Sequence, residues 1–165
     1  MEGNNTKPRA LLVFGAPCSG KTTFARKFAD KFGLAYYNLE EIKNKNNFSE
    51  DNMMTILDLI SRTHQTVVVE GNLDTEKDRR LVRRVFFKYH YDTVLIWVQT
   101  DATTIKTRMK LKYKSITKAK DVYNKKVEML EAPTELEHPV ILSGKHTFET
   151  QTRHVLSSLA DVDKR

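Results

Sequence analysis

The stretch Gly15-Ala16-Pro17-Cys18-Ser19-Gly20-Lys21-Thr22 sets two glycines, a lysine and a hydroxyl at the spacing G-x-x-x-x-G-K-S/T, the phosphate-binding P-loop pattern. The glycines take backbone angles that a side chain forbids, so the loop can curl around a polyphosphate. Its N–H groups then form an anion nest, and the helix that follows adds the positive end of its dipole. Lys21 can reach the β- and γ-phosphates, and the Thr22 hydroxyl can ligate Mg²⁺. Gly15 through Thr23 are therefore the expected nucleotide contacts.

Phosphoryl transfer needs positioning and charge neutralisation more than covalent chemistry. Glu70 ends an apolar run and is expected beside Thr22 at the metal, directly or through water. Glu40 and Glu41 follow a second strand-like run. Either could accept the proton of an attacking hydroxyl, with Glu40 ahead of Glu41. Arg108 and Lys112 lie one helical turn apart in a basic stretch, residues 106–126, whose only acid is Asp121. A mobile lid there would neutralise charge in the transition state and exclude water. Arg79, Arg80, Arg83 and Arg84 could add to a basic acceptor-side surface, against the plainer reading of a solvated helix face. Cys18 reads as a spacer in the loop. The five histidines are scattered, with no pair spaced as zinc ligands on one helical turn.

These residues need a scaffold that brings strand ends together. Residues 10–14 are a short apolar run before the loop, and Phe24 and Phe28 open one face of the helix after it. Further strands are expected over 34–38, 66–70, 93–98 and 138–142. Helices intervene: one after Ser49 or Asp51, one from Asp74 or Thr75, one from Asp101, one that Pro133 ends, and one from Thr147 or Glu149. Residues 43–47 read as a polar turn. Alternating strands and helices predict a parallel sheet covered on both faces, with ligands at the strands' C-terminal ends. The P-loop, Glu40, Glu70, the stretch after Thr100 and Ser143-Gly144-Lys145 all fall at those ends.

Composition narrows the class. A chain of 165 residues with 39% hydrophobic and 30% charged content suits one globular domain, spanning 1–165 with a flexible lead-in over 1–8. Net charge of +7 suggests an anionic partner, nucleotide or nucleic acid. There is no long apolar run and no signal-like N-terminus, and the single cysteine permits no internal disulfide. Together these favour the cytoplasm.

The run from Leu12 to Arg26 resembles the P-loop of small kinases in the AAA-domain predicted-kinase group, which includes the polynucleotide 5′-hydroxyl kinase domain. The likeness continues through Asn38-Leu39-Glu40-Glu41, where those kinases carry an Asp pair whose first member is the base. It extends to Val68-Val69-Glu70-Gly71-Asn72 and to Arg108-Met109-Lys110-Leu111-Lys112, similar to an Arg-x-x-x-Arg lid. Glu stands for Asp at position 40, and Lys for the second Arg at 112. The resemblance implies a P-loop NTPase three-layer sandwich, with five parallel strands ordered 2-3-1-4-5 and a helical lid. It implies ATP as donor, Mg²⁺, and the Ser143-Gly144-Lys145 turn near the adenine. The expected activity is transfer of the γ-phosphate to a hydroxyl of a nucleic-acid end, nucleoside, nucleotide or small metabolite. A nucleotide-gated binding protein is the alternative, and an incidental P-loop in a nucleic-acid binder a third. A GTPase is disfavoured, because Asn124-Lys125-Lys126-Val127 lacks the Asp of the guanine-reading motif.

Overall fold

Five short apolar runs pair into one parallel sheet. A computed structural model describes residues 7–113 and 115–162. Strands β1 (Arg9–Phe14), β2 (Ala35–Asn38), β3 (Val67–Glu70), β4 (Asp92–Gln99) and β5 (Val140–Ser143) lie in the order β2-β3-β1-β4-β5. Every neighbouring pair is parallel, and Leu12 sits level with Val69 on one side and Leu95 on the other. This is the expected topology.

The central strand explains its own sequence. β1 is apolar at consecutive positions because both its faces are covered. Leu11 and Val13 face the layer of α1 (Lys21–Phe32) and α7 (Phe148–Val162). Ala10, Leu12 and Phe14 face the layer of α3 (Glu50–Ser61) and α4 (Glu76–Lys88). Phe24 and Phe28 of α1 are each 2% exposed; burial of each stabilises by roughly 2 kcal/mol. α1 stops where Gly33 enters the left-handed region and its N–H returns to Ala29 and Asp30 carbonyls.

Two expectations change. Residues 43–47 are not a turn: α2 (Leu39–Asn46) runs through them, and only Asn47 turns left-handed to cap it. Asn38 caps the helix start by accepting from the Glu41 N–H, so two caps override the polar composition of the segment. The arginines of α4 do not share one solvated face. Arg79 is fully buried, Arg80 pairs with Glu76, and Arg83 donates to Thr93 near the start of β4, the far end of the sheet.

The lid is a helical pair, α5 (Ala102–Lys112) and α6 (Ile116–Met129). Asp101 caps α5, accepting from the Thr104 N–H at 2.9 Å. Ile105 and Met109 bury against Ala16, Cys18, Tyr113 and Tyr123, so the lid carries a small core that touches the P-loop. α6 ends at Met129, before Pro133 is reached. The lead-in residues 1–6 and Lys114 of the basic stretch lie outside the described residues. No described helix is long and apolar enough to cross a membrane.

Candidate active site

The P-loop leaves β1 and enters α1 around one close approach and two left-handed residues. A Cβ on Gly15 would sit 2.3 Å from the Val98 carbonyl oxygen. Gly20 caps α1 at a φ of 103°. Cys18 is also left-handed, and its carbonyl accepts from Arg108. Ser19 Oγ is buried with no hydrogen-bond partner. The loop borders a cavity of about 670 Å³ that gathers residues from the ends of β1, β2, β3 and β5.

One wall carries Thr22 and Glu70. Thr22 Oγ1 donates to Glu70 Oε1 at 2.5 Å, and Tyr36 Oη donates to Glu70 Oε2 at 2.7 Å. Glu70 is only 2% exposed, so both oxygens are fixed. The Tyr36 hydroxyl is pushed up to about 12, first by burial and then by the carboxylate it serves. A hydroxyl and a buried carboxylate at a helix N-terminus are an oxygen donor set that fits a hard divalent cation alongside phosphate oxygens. Among the described residues no three His, Cys, Asp or Glu converge on a metal position. Such an ion would therefore lean on Thr22, Glu70 and the nucleotide.

Lys21 points into the cavity and donates to the Ala16 carbonyl at 3.3 Å. Burial pushes its ammonium below the usual lysine range, against the pull of Glu70, Glu40 and Asp74. A half-buried cation with several carboxylate neighbours can trade them for phosphate oxygens.

Glu40 and Glu41 separate cleanly. Glu40 lines the cavity, whereas Glu41 turns outward to pair with Lys45 at 2.5 Å and Arg26 at 3.5 Å. The Asn38 cap and Gly71 set this orientation. Gly71 has a φ of 86°, and a Cβ there would meet the Glu40 N at 2.8 Å.

The lid supplies the opposite wall. Arg108 Nη1 donates to the Cys18 and Ser19 carbonyls at 3.1 Å, and Nη2 donates to the Gly144 carbonyl at 2.8 Å. Lys112 also lines the cavity but is exposed, its Nζ 5.6 Å from the Tyr113 ring centre. Of Ser143, Gly144 and Lys145, only Gly144 reaches this cavity. Ser143 accepts from Gln151 through its carbonyl, and Lys145 pairs with Asp101 at 3.1 Å, both beside a neighbouring cavity. Thr23 lines the P-loop cavity, as do Phe24, His146 and Phe148.

Three further residues escaped the sequence reading. Asp74 lines the cavity, not the helix cap, which Thr75 provides through the Asp78 N–H. Burial pushes the Asp74 carboxyl up, and Lys126 pulls it back down. Lys126 reaches from α6 to Glu40 at 2.5 Å and Asp74 at 3.8 Å. Arg79 donates to both Glu137 oxygens, at 2.8 and 3.0 Å, and to the carbonyls of Leu73, Asp74 and Glu131. It thereby ties the chain leaving the lid to the loop that carries Asp74. An Arg on a helix gives no sequence signal of such burial.

A P-loop at the end of β1, a buried acid at the end of β3 and a basic helical lid on a 2-3-1-4-5 sheet define the P-loop kinase fold. The chain belongs to the AAA domain family, whose model matches residues 11–136. It is similar to a solved gluconokinase from Sinorhizobium meliloti 1021, at 17% identity and a TM-score of 0.69, covering 96% of this chain and 95% of that one. A sugar kinase from Janibacter sp. HTCC2649 matches at 18% identity and a TM-score of 0.71, over 93% and 95% of the two chains. The Mycobacterium tuberculosis APS kinase CysC, solved with AMPPNP and APS, matches at 16% identity and a TM-score of 0.62, over 93% and 98%. No curated protein matches the sequence.

Proposed function

We propose that this chain is an ATP-dependent phosphotransferase of the cytoplasm, its residues 1–165 acting as one kinase-like unit on a hydroxyl acceptor. The observation that carries the reading is one cavity lined by Lys21, Thr22, Glu70 and Glu40 together. The P-loop amides and Lys21 hold the β- and γ-phosphates. Thr22 and Glu70 hold Mg²⁺, which when bound neutralises phosphate charge. Glu40 accepts the proton of the acceptor hydroxyl as its oxygen bonds to the γ-phosphorus. The bond from that phosphorus to the β–γ bridging oxygen breaks, and ADP leaves. Arg108 exchanges loop carbonyls for phosphate oxygens, and Lys112 adds charge from the same helix face.

The test is transfer of labelled γ-phosphate from ATP with Mg²⁺ to a panel of 5′-hydroxyl oligonucleotides, nucleosides, nucleotides and sugars. Label should move to an acceptor in the wild type and not in Lys21→Ala. Glu40→Gln should lower kcat by about a hundredfold or more while leaving ATP binding intact. ATP binding with label reaching only water, and that slowly, would favour the nucleotide-gated binding protein.

A further inference from the structure

The cavity beyond the γ-phosphate position has its own chemistry. Lys126 enters it from the lid and stands between Glu40 and Asp74, so its charge is spent on two carboxylates. Asn38 adds an amide, and Val122, Leu130 and Tyr113 add an apolar wall. The arginines of α4 are elsewhere: Arg79 is consumed by Glu137 and three carbonyls, and Arg83 is held near the start of β4. Among the described residues, the cations lining the cavity besides Lys126 are Lys21, Arg108, Lys112 and Lys27. Lys21, Arg108 and Lys112 face the nucleotide in the reading above, and Lys27 lies 5.9 Å from the Phe148 ring centre.

Resting on that reading, we propose that the acceptor is a neutral polyhydroxylated molecule, gripped by Asp74 and Lys126 beside Glu40, and not a phosphate-bearing one. A hydroxyl can donate to the Asp74 carboxylate and accept from the Lys126 ammonium at once, leaving the three-way pairing intact. The apolar wall suits the C–H face of a ring. A phosphate at the same place must displace a carboxylate from Lys126, or lie beside two half-buried like charges. A site whose polar groups are matched to hydroxyls discriminates strongly when they are replaced. The cap at Asn38 and the Arg79 tie to the Asp74 carbonyl hold both carboxylates in place, so the charge pattern is built in.

The experiment uses pairs that differ by one anionic group: glycerol against glycerol 3-phosphate, glucose against glucuronate, adenosine against adenosine 3′-monophosphate, each with labelled ATP and Mg²⁺. The neutral member should show a kcat/KM at least about tenfold above its anionic partner. Asp74→Asn should raise the acceptor KM about tenfold, with kcat within about threefold and the ATP KM unchanged. Lys126→Met, which uncovers both carboxylates, should widen the preference against anions. A purely structural role would move the ATP KM and the melting temperature together with the acceptor KM. Equal or better transfer to the anionic members, or an acceptor KM that ignores Asp74→Asn, overturns this inference and leaves the kinase standing. Transfer to no member here and to none of the oligonucleotides of the wider panel, with label reaching only water, overturns both.

Discussion

Gly144→Ala is the sharpest test of how the nucleotide side is held. Gly144 lies against the P-loop so closely that a Cβ would be 1.9 Å from the Ser19 carbonyl oxygen and 2.1 Å from Thr100 Oγ1. Both partners are fixed: Thr100 Oγ1 donates to that same carbonyl at 2.8 Å, and Arg108 donates to it as well. To regain a 3.0 Å separation, the turn or the loop must retreat by about 1.1 Å. A misplacement near one ångström at a reacting centre costs about a hundredfold in rate. Overpacking of this kind costs about 2 kcal/mol, a Tm fall near 6 °C for a domain this size. Gly33→Ala is the control. Gly33, unlike Gly144, has a positive φ, 63°, and nothing lies within 4 Å of its Cβ position. It should lose about 1 kcal/mol of stability and nothing in nucleotide affinity. The assay is ATP affinity by calorimetry, kcat/KM for label transfer, and Tm by scanning calorimetry. If Gly144→Ala binds ATP within twofold of wild type at unchanged kcat/KM, the β5 turn does not brace the P-loop.

Three further outcomes follow from named contacts. Arg79→Met removes the buried cation that pairs Glu137 and donates to three carbonyls, at a cost of about 4 kcal/mol or roughly 12 °C in Tm; Arg79→Met with Glu137→Leu should recover part of that, and a single-variant loss under about 2 °C would contradict the assignment. Glu41→Gln should leave kcat unchanged while Glu40→Gln lowers it, because Glu41 faces Lys45 and Arg26 outside the cavity; equal losses would refute the division. The Asp58 carboxyl is held down at about 2 by the Tyr89 hydroxyl first, with Lys88 and Arg62 adding to it. A depressed carboxylate contributes stability above its unfolded pKa, about 4, and loses it as pH falls through its folded value. The stability gap between wild type and Asp58→Asn, read by urea melts, should therefore be full at pH 5 and close towards pH 2.

The sequence by itself determined the parts governed by local physics. The loop from Gly15 to Thr22 needs only its own glycines and the helix it opens. The apolar runs of β1, β3 and β4 need only their continuity, and Ser49, Thr75 and Asp101 cap through bonds three residues on. Glu70 was legible because it ends such a run. Tertiary structure alone decided the rest. Glu40 and Glu41 are adjacent and chemically alike, and only the Asn38 cap with the close approach of Gly71 sends one inward. Lys126 meets Glu40 across 86 positions of sequence, a distance that no spacing rule bridges. Arg79 and Arg80 are neighbours, yet one is entombed and the other solvated, because a helix turns consecutive residues to different faces and only packing names the inner one. The site's charge pattern is thus a product of the fold: local sequence supplies the phosphate cradle, and long-range contacts shape what stands opposite it.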